Sequence, residues 1–373
     1  MDEKLATKLL NKVMGWSITS ETIKENIIIQ SLAVYRYNEY QQFTTGMRFV
    51  ESLARWMNQF TNNEKKIAYQ LIRKKLVFIS EQEMNHLVEI TYPDFIHQFL
   101  IKKVAEHKGI PEWNVTRIAK CIEFKTLLRQ SLFLGLSDGS HIDSFRRNNP
   151  QISTEQIFRA HEITDDRAEE MADKLKVDLE KILNRKPTED EAHFKMIFLL
   201  DDFSGSGISY IRYESGQAES SGKVAKFYKF LKDTKDPSLS KLVNTDDVHV
   251  CLILYVMTPE SNERLQSDGC ILFDKIKFDV LPVYLLSKFT KLDETKDSEI
   301  ISLLKNYKDD SIIDKHFRKG RCCDKSYLGY DECALPLVLY HNTPNNSVPL
   351  LWYEDDVLER KFLGLFPRIS RHH

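Results

Sequence analysis

Up to residue 128 apolar side chains recur at helical spacing in a stretch with few glycines. Ile67, Leu71 and Ile72 continue one helix face, and Met84, Leu87 and Val88 begin another. Thr61 with Glu64, and Ser80 with Glu83, have the spacing of capping boxes, in which a hydroxyl and a carboxylate exchange hydrogen bonds with orphan helix amides. Beyond this point the period changes. Ser131 to Leu136 reads as a strand, Ser153 with Gln156 marks a helix start, and Met171, Leu175, Leu179 and Ile182 form the apolar stripe of a longer, charged helix. The run from Met196 to Leu200 is apolar throughout, as a strand covered on both faces must be. A helix is expected after Gly207, and further strands over Val248 to Thr258 and within Ile276 to Leu286. Strands alternating with helices predict an α/β fold with a mainly parallel sheet and flanking helices over 129–373, preceded by a helical domain over 1–128.

Charge and composition narrow the function. The 373 residues include 53 basic and 55 acidic ones, a balance that excludes a general nucleic-acid-binding surface and leaves only a local patch at Arg318, Lys319 and Arg321. The longest apolar stretch, Val248 to Met257, contains His249 and falls short of the roughly 20 residues a membrane span needs. The N-terminal Met-Asp-Glu-Lys lacks a signal-peptide core, and six cysteines lack the density of a disulfide scaffold. A cytoplasmic location without membrane attachment is therefore expected.

The most informative segment is Met196 to Tyr210, MIFLLDDFSGSGISY. Two carboxylates at the exit of a buried strand, Asp201 and Asp202, can accept hydrogen bonds from a vicinal ribose diol, and both are expected to face solvent. Ser204, Ser206 and Ser209 with the loop amides can hold a phosphate at a helix N-terminus. Other phosphate loops fail by spelling. Gly207 is followed by Ile208 where a Walker A loop needs Lys, and the Gly222-Lys223 pair further on has Val224 where a hydroxyl belongs. The dinucleotide fingerprint has Tyr210 in place of its third small residue. A nucleophile elbow on Ser206 would need glycine at Ser204 and Ile208.

This strand, acid pair and hydroxyl-glycine-hydroxyl loop (Ser206, Gly207, Ser209) resembles the phosphoribosyl pyrophosphate (PRPP) loop of type I phosphoribosyltransferases, with serine where threonine is usual and an extra glycine at Gly205. The chain is more narrowly similar to the phosphoribosyltransferase-like PRTase-CE proteins of bacterial conflict systems, which join a helical N-terminal region to such a domain and are found in anti-phage loci. The segments Leu76 to Leu87, LGLSDGSHIDSFRR over Leu134 to Arg147, and ALPLVLYHNTPNNSVPLLW over Ala334 to Trp352 support this. The resemblance implies a ligand, PRPP or a ribonucleotide, bound with Mg²⁺. Asp201 and Asp202 would contact the diol and the metal; Phe203, Ser204, Gly205, Ser206, Gly207, Ile208 and Ser209 would form the 5′-phosphate loop. It implies transfer or release of a phosphoribosyl group. The alternative is a sensor that binds a phosphorylated ribose without turnover and docks on a protein partner through the N-terminal helices.

Two further segments carry candidate chemistry. Ser137, Asp138, Gly139, Asp143, Arg146 and Arg147 lie where phosphoribosyltransferases place a pyrophosphate loop, although Asp138-Gly139 also reads as a turn and Asp143 with Arg147 as an i,i+4 helix pair. Asn342, Asn345 and Asn346 offer amides that could read a nucleobase edge, but their Asn- and Pro-rich setting reads first as turn geometry. Cys322, Cys323, Cys333 and His341 lack the Cys-x-x-Cys spacing of a zinc site. Tyr330, Asp331 and Glu332 read equally as catalytic groups or as a solvated loop.

Overall fold

The computed structural model describes residues 2–213, 220–233, 238–239, 241–313, 317, 324–354 and 362–368. Arg318, Lys319 and Arg321 of the basic patch, and Cys322 and Cys323, lie outside them. Among the described residues the strands, in chain order, are β1 (Val77–Ile79), β2 (Ser131–Gly135), β3 (Ile157–Arg159), β4 (Met196–Ser204), β5 (Arg212–Tyr213), β6 (Ser220–Ser221), β7 (His249–Met257), β8 (Lys277–Leu285) and β9 (Leu337–Leu339). The chain divides into two compact units, Met1–Met84 with Ser287–His373, and Asn85–Leu286. The sequence pattern had suggested a single boundary at 128/129.

The first unit is mainly helical, with Glu3–Met14, Ser20–Tyr35, Phe49–Met57, Asn62–Gln70 and Ser298–Asn306 joined by a small parallel pair of β1 and β9. Both anticipated capping boxes form: Thr61 N donates to Glu64 at 3.0 Å, and Ser80 N to Glu83 at 2.8 Å. Phe49, Trp56 and Phe366 are fully buried in its core, with Phe49 and Phe366 stacked 5.7 Å apart.

The second unit carries a five-stranded, fully parallel sheet in the order β3-β2-β4-β7-β8. Every residue of β7 is buried, which explains its continuous apolar sequence. On one face Met171, Leu175 and Leu179 of the helix Asp165–Leu183 pack with Leu132, Leu134, Ile197, Leu199, Val250 and Leu252. On the other, Phe133 and Phe198 stack 5.2 Å apart. Each such side chain contributes about 1.5–3 kcal/mol by leaving water. In this sheet β2 comes first in the chain, β3 lies on one side of it and β4 on the other. The direction of winding therefore reverses between β2 and β4, the switch point at which parallel sheets of this kind have their ligand crevice.

Two expectations are corrected. Ser153 caps only a single turn, Thr154–Gln156, before the short strand β3. After Gly207 the chain does not enter a helix; it turns, forms the β5–β6 hairpin and starts a helix only at Lys223–Leu231. Gly207 has φ +80° and Gly222 φ +115°, conformations that favour glycine, and a Cβ on Gly222 would overlap the Tyr210 carbonyl. No helix among the described residues is long and apolar enough to cross a membrane.

Candidate functional site at the sheet switch point

The acids lie within β4 rather than beyond it, so strand alternation sends them to opposite sides. Asp201 is fully buried, against the expectation that both carboxylates face solvent. Ser137 Oγ donates to its Oδ1 at 2.5 Å, Tyr210 Oη donates to Oδ2 at 2.8 Å, and Lys223 forms an ion pair with it. Burial pushes Asp201 above the usual carboxylate range; the Lys223 charge opposes the rise and the Asp202 charge adds to it. Asp202 is half-buried, and its Oδ1 accepts from the Phe203 amide at 2.8 Å. A Cβ on Gly139 would stand 2.5 Å from Asp202 Oδ2, so glycine is what lets the loop after β2 approach that carboxylate. The switch point thus brings the acid pair together with Ser137 and Gly139, which are more than sixty positions away in the chain.

The loop after β4 is held by its carbonyls. Thr258 donates through N to Ser204 O at 3.1 Å and through Oγ1 to Gly205 O at 2.6 Å, while Arg264 Nη1 donates to Ser206 O at 3.1 Å. Among the described residues the amides of Gly205, Ser206, Gly207 and Ser209 donate to no protein acceptor. Successive amides left without a protein acceptor can make a nest for an anion; here Gly205, Ser206 and Gly207 are buried and Ser209 is exposed. The hydroxyls contribute unequally. Ser204 is buried with its Oγ 2.6 Å from Ser261 Oγ, which removes it from the phosphate-binding set, whereas Ser209 is exposed and Ser206 is buried 3.5 Å from the Ile208 amide. Phe203, within β4, and Ile208, in the loop, are both buried.

On the pyrophosphate side Asp138 is largely exposed. Arg146 donates to Asp143 at 3.0 Å and to the Ile157 carbonyl at 2.7 Å. Arg147 is exposed, and the anticipated Asp143–Arg147 pair is replaced by Asp143 with Arg146 and, at 3.7 Å, Arg159. Arg159 also lies 3.7 Å from Asp138, and it went unnoticed in the sequence because β3 did. Lys223 was visible only as half of a misfitting Gly-Lys pair; folded, it is a third exposed, pairs with Asp201 and lies over the Tyr210 ring at 5.1 Å. It also borders a cleft of about 810 Å³, with Leu136, Thr164, Lys226, Phe227 and Phe230 among the lining residues.

Asn342, Asn345 and Asn346 belong to the other compact unit and build a turn there. Asn342 Oδ1 accepts from the Thr343 amide at 3.0 Å, the Asn345 carbonyl accepts from the Tyr330 amide at 2.7 Å, and Asn346 Nδ2 donates to the Tyr330 carbonyl at 3.2 Å. This is the turn reading, and the amides of Asn342 and Asn346 serve it. Tyr330 is buried, and Glu332 accepts from the Lys325 amide at 3.2 Å.

A parallel α/β sheet flanked by helices, with an acid-bearing strand and a serine-glycine loop at its switch point, is consistent with a phosphoribosyltransferase-like fold. The PRTase-CE family model matches residues 53–368, and the chain belongs to that family. No curated protein and no solved structure matches it.

Proposed function

We propose that the crevice between β2 and β4 binds a phosphorylated ribose, as PRPP or a ribonucleotide, and that the protein transfers or releases its phosphoribosyl group. The observation that carries this reading is the set of amides at Gly205, Ser206, Gly207 and Ser209, which donate to no protein acceptor among the described residues and follow the acid pair at the end of the switch-point strand β4. In such a site the amides and Ser209 hold the 5′-phosphate and Asp202 accepts from the ribose hydroxyls. As the leaving group departs, positive charge grows at the anomeric carbon, and a nearby fixed carboxylate stabilises it. Asp201 acts at one remove: it fixes Ser137, Tyr210 and Lys223, and so the spacing of the two loops. Lys223, at the border of the large cleft, is the cation placed to meet a departing phosphate.

Mg²⁺ belongs to this reading with a narrower set of ligands. Asp201 does not fit a metal-ligand role, because both its oxygens are engaged and it is buried beside an ammonium group. Asp202, half-buried at the crevice, fits. When bound, Mg²⁺ would neutralise pyrophosphate charge. The likeness to conflict-system proteins supports a role for this reaction in anti-phage defence, with a protein partner docking on the helical unit.

One observation favours the sensor reading: Asp201, one of the two expected diol ligands, is sealed by Lys223. Incubation with Mg²⁺, PRPP and a panel of nucleobases separates the two. Pyrophosphate release supports transfer, binding without release supports the sensor, and absence of binding to PRPP and to ribonucleotides removes both.

A further inference from the structure

The amino ends of β7 and β8, at the sheet edge opposite the crevice, carry a second cluster of reactive side chains. His249 and Cys251 are two residues apart on β7 and so share a face, and Asp279 on β8 stands opposite Cys251 in the strand register. One ligand atom from each residue lies within 4.8 Å of the other two. His249 Nε2 is 2.7 Å from Asp279 Oδ2, and the ring of Phe99 packs edge-on against the imidazole at 5.4 Å. Cys251 is fully buried and His249 nearly so, whereas the Asp279 side chain is 42% exposed and gives a route in from solvent. The proposed phosphoribosyl chemistry uses none of these three groups.

We propose that His249, Cys251 and Asp279 bind a borderline-soft divalent cation of the Zn²⁺ class. An imidazole, a thiolate and one carboxylate match the nitrogen and sulfur preference of zinc, whereas Mg²⁺ and Ca²⁺ require sets of oxygens. Bonds of about 2.0–2.3 Å in tetrahedral geometry place ligand atoms roughly 3.3–3.8 Å apart, so the His249–Asp279 contact must open slightly and the sulfur, within 4.8 Å of the other two atoms, need close by no more than about 1 Å. Water takes the fourth position. The Cys251 thiol loses its proton to solvent as its sulfur bonds the ion, so one proton is released per ion bound. The ion would tie edge strand β8 to β7. The ammonium groups of Lys103, held over Phe99 at 5.1 Å, and of Lys277 on β8 are positive charges that oppose binding.

The test uses the full chain, stripped of metal with EDTA, and titrates it with Zn²⁺ or Co²⁺. The expected result is one ion per chain, a thiolate-to-cobalt charge-transfer band, and a rise in melting temperature that EDTA reverses. Cys251→Ser should abolish the band and weaken binding by more than the roughly 10–100-fold seen when an outer partner is lost. Lys103→Met should tighten binding. Should Cys251→Ser fail to fold, Asp279→Asn at the partly exposed position should weaken binding while keeping the band. Absence of stoichiometric binding, or a band that survives in Cys251→Ser, overturns the proposal. Since no phosphoribosyl ligand enters the assay, its outcome is independent of the function assigned to the crevice.

Discussion

Replacing Lys223 by methionine tests the link between the buried acid and the crevice. The substitution keeps most of the side-chain volume and leaves Asp201 with the Ser137 and Tyr210 hydroxyls but without its counter-charge. Removing one partner of a fully buried pair costs about 3–5 kcal/mol; Lys223 is a third exposed, so about 2–3 kcal/mol is expected at pH 8. The penalty depends on pH with a definite sign. Burial already raises Asp201 above its unfolded value, and loss of Lys223 raises it further. The native state then holds the proton more tightly than the unfolded state, so the variant loses stability as pH rises, by about 1.4 kcal/mol per pKa unit of added shift. As the pH falls and the Asp201 carboxyl takes up its proton, the cost should shrink to below about 1 kcal/mol. Denaturant unfolding of wild type, Lys223→Met, Asp201→Asn and the double variant supplies the assay. A coupling of about 1.5–2 kcal/mol at pH 8 that shrinks toward pH 4 is expected. A coupling below about 0.5 kcal/mol at pH 8, or a penalty that grows toward acid, would refute the reasoning.

Three further outcomes follow from the same geometry. Tyr210→Phe removes the donor to both Asp201 and the Phe203 carbonyl inside the core, and should cost about 1–3 kcal/mol by thermal melting. Gly139→Ala places a methyl group where Asp202 Oδ2 stands; affinity for PRPP by calorimetry should fall about tenfold, with stability changed by less than about 1 kcal/mol. Asp202→Asn keeps the shape but removes the charge that the sugar hydroxyls would meet, so binding should weaken by about 10–100-fold while the circular dichroism spectrum is unchanged.

The central strands were legible because burial on both faces writes itself as an uninterrupted apolar run: β7 falls within the segment expected for it, and β4 begins at Met196 as expected but continues through Ser204, while the edge strand β8 falls within its segment although it is only partly buried. The long helix Asp165–Leu183 was legible from its stripe, since Met171, Leu175 and Leu179 are all buried. Short strands were not. With three residues each, β1 and β3 are too brief to show a period, and pairing with distant partners creates them. The chain after Gly207 was misread because serine and glycine allow either a helix start or a turn, and the return of Lys223 N to Ser209 O and Val224 N to Tyr210 O decides for the hairpin. The acid pair was visible, but its division into one fully buried and one half-buried carboxylate was not. That division depends on β4 continuing through Asp201 and Asp202, and on Lys223 and Ser137 meeting Asp201 across 22 and 64 positions. Arg159 and Lys223 carried no local signal for the same reason.

Hydrogen exchange of the loop amides, with and without ribose 5-phosphate, addresses the claim at the switch point most directly. Gly205, Ser206, Gly207 and Ser209 donate to no protein acceptor among the described residues, so a phosphate seated there must supply theirs. Added ligand should slow exchange at these amides and leave the far ends of β7 and β8 unchanged. Exchange in Gly205–Ser209 that does not respond to saturating ribose 5-phosphate, or protection that develops only elsewhere, would contradict the account.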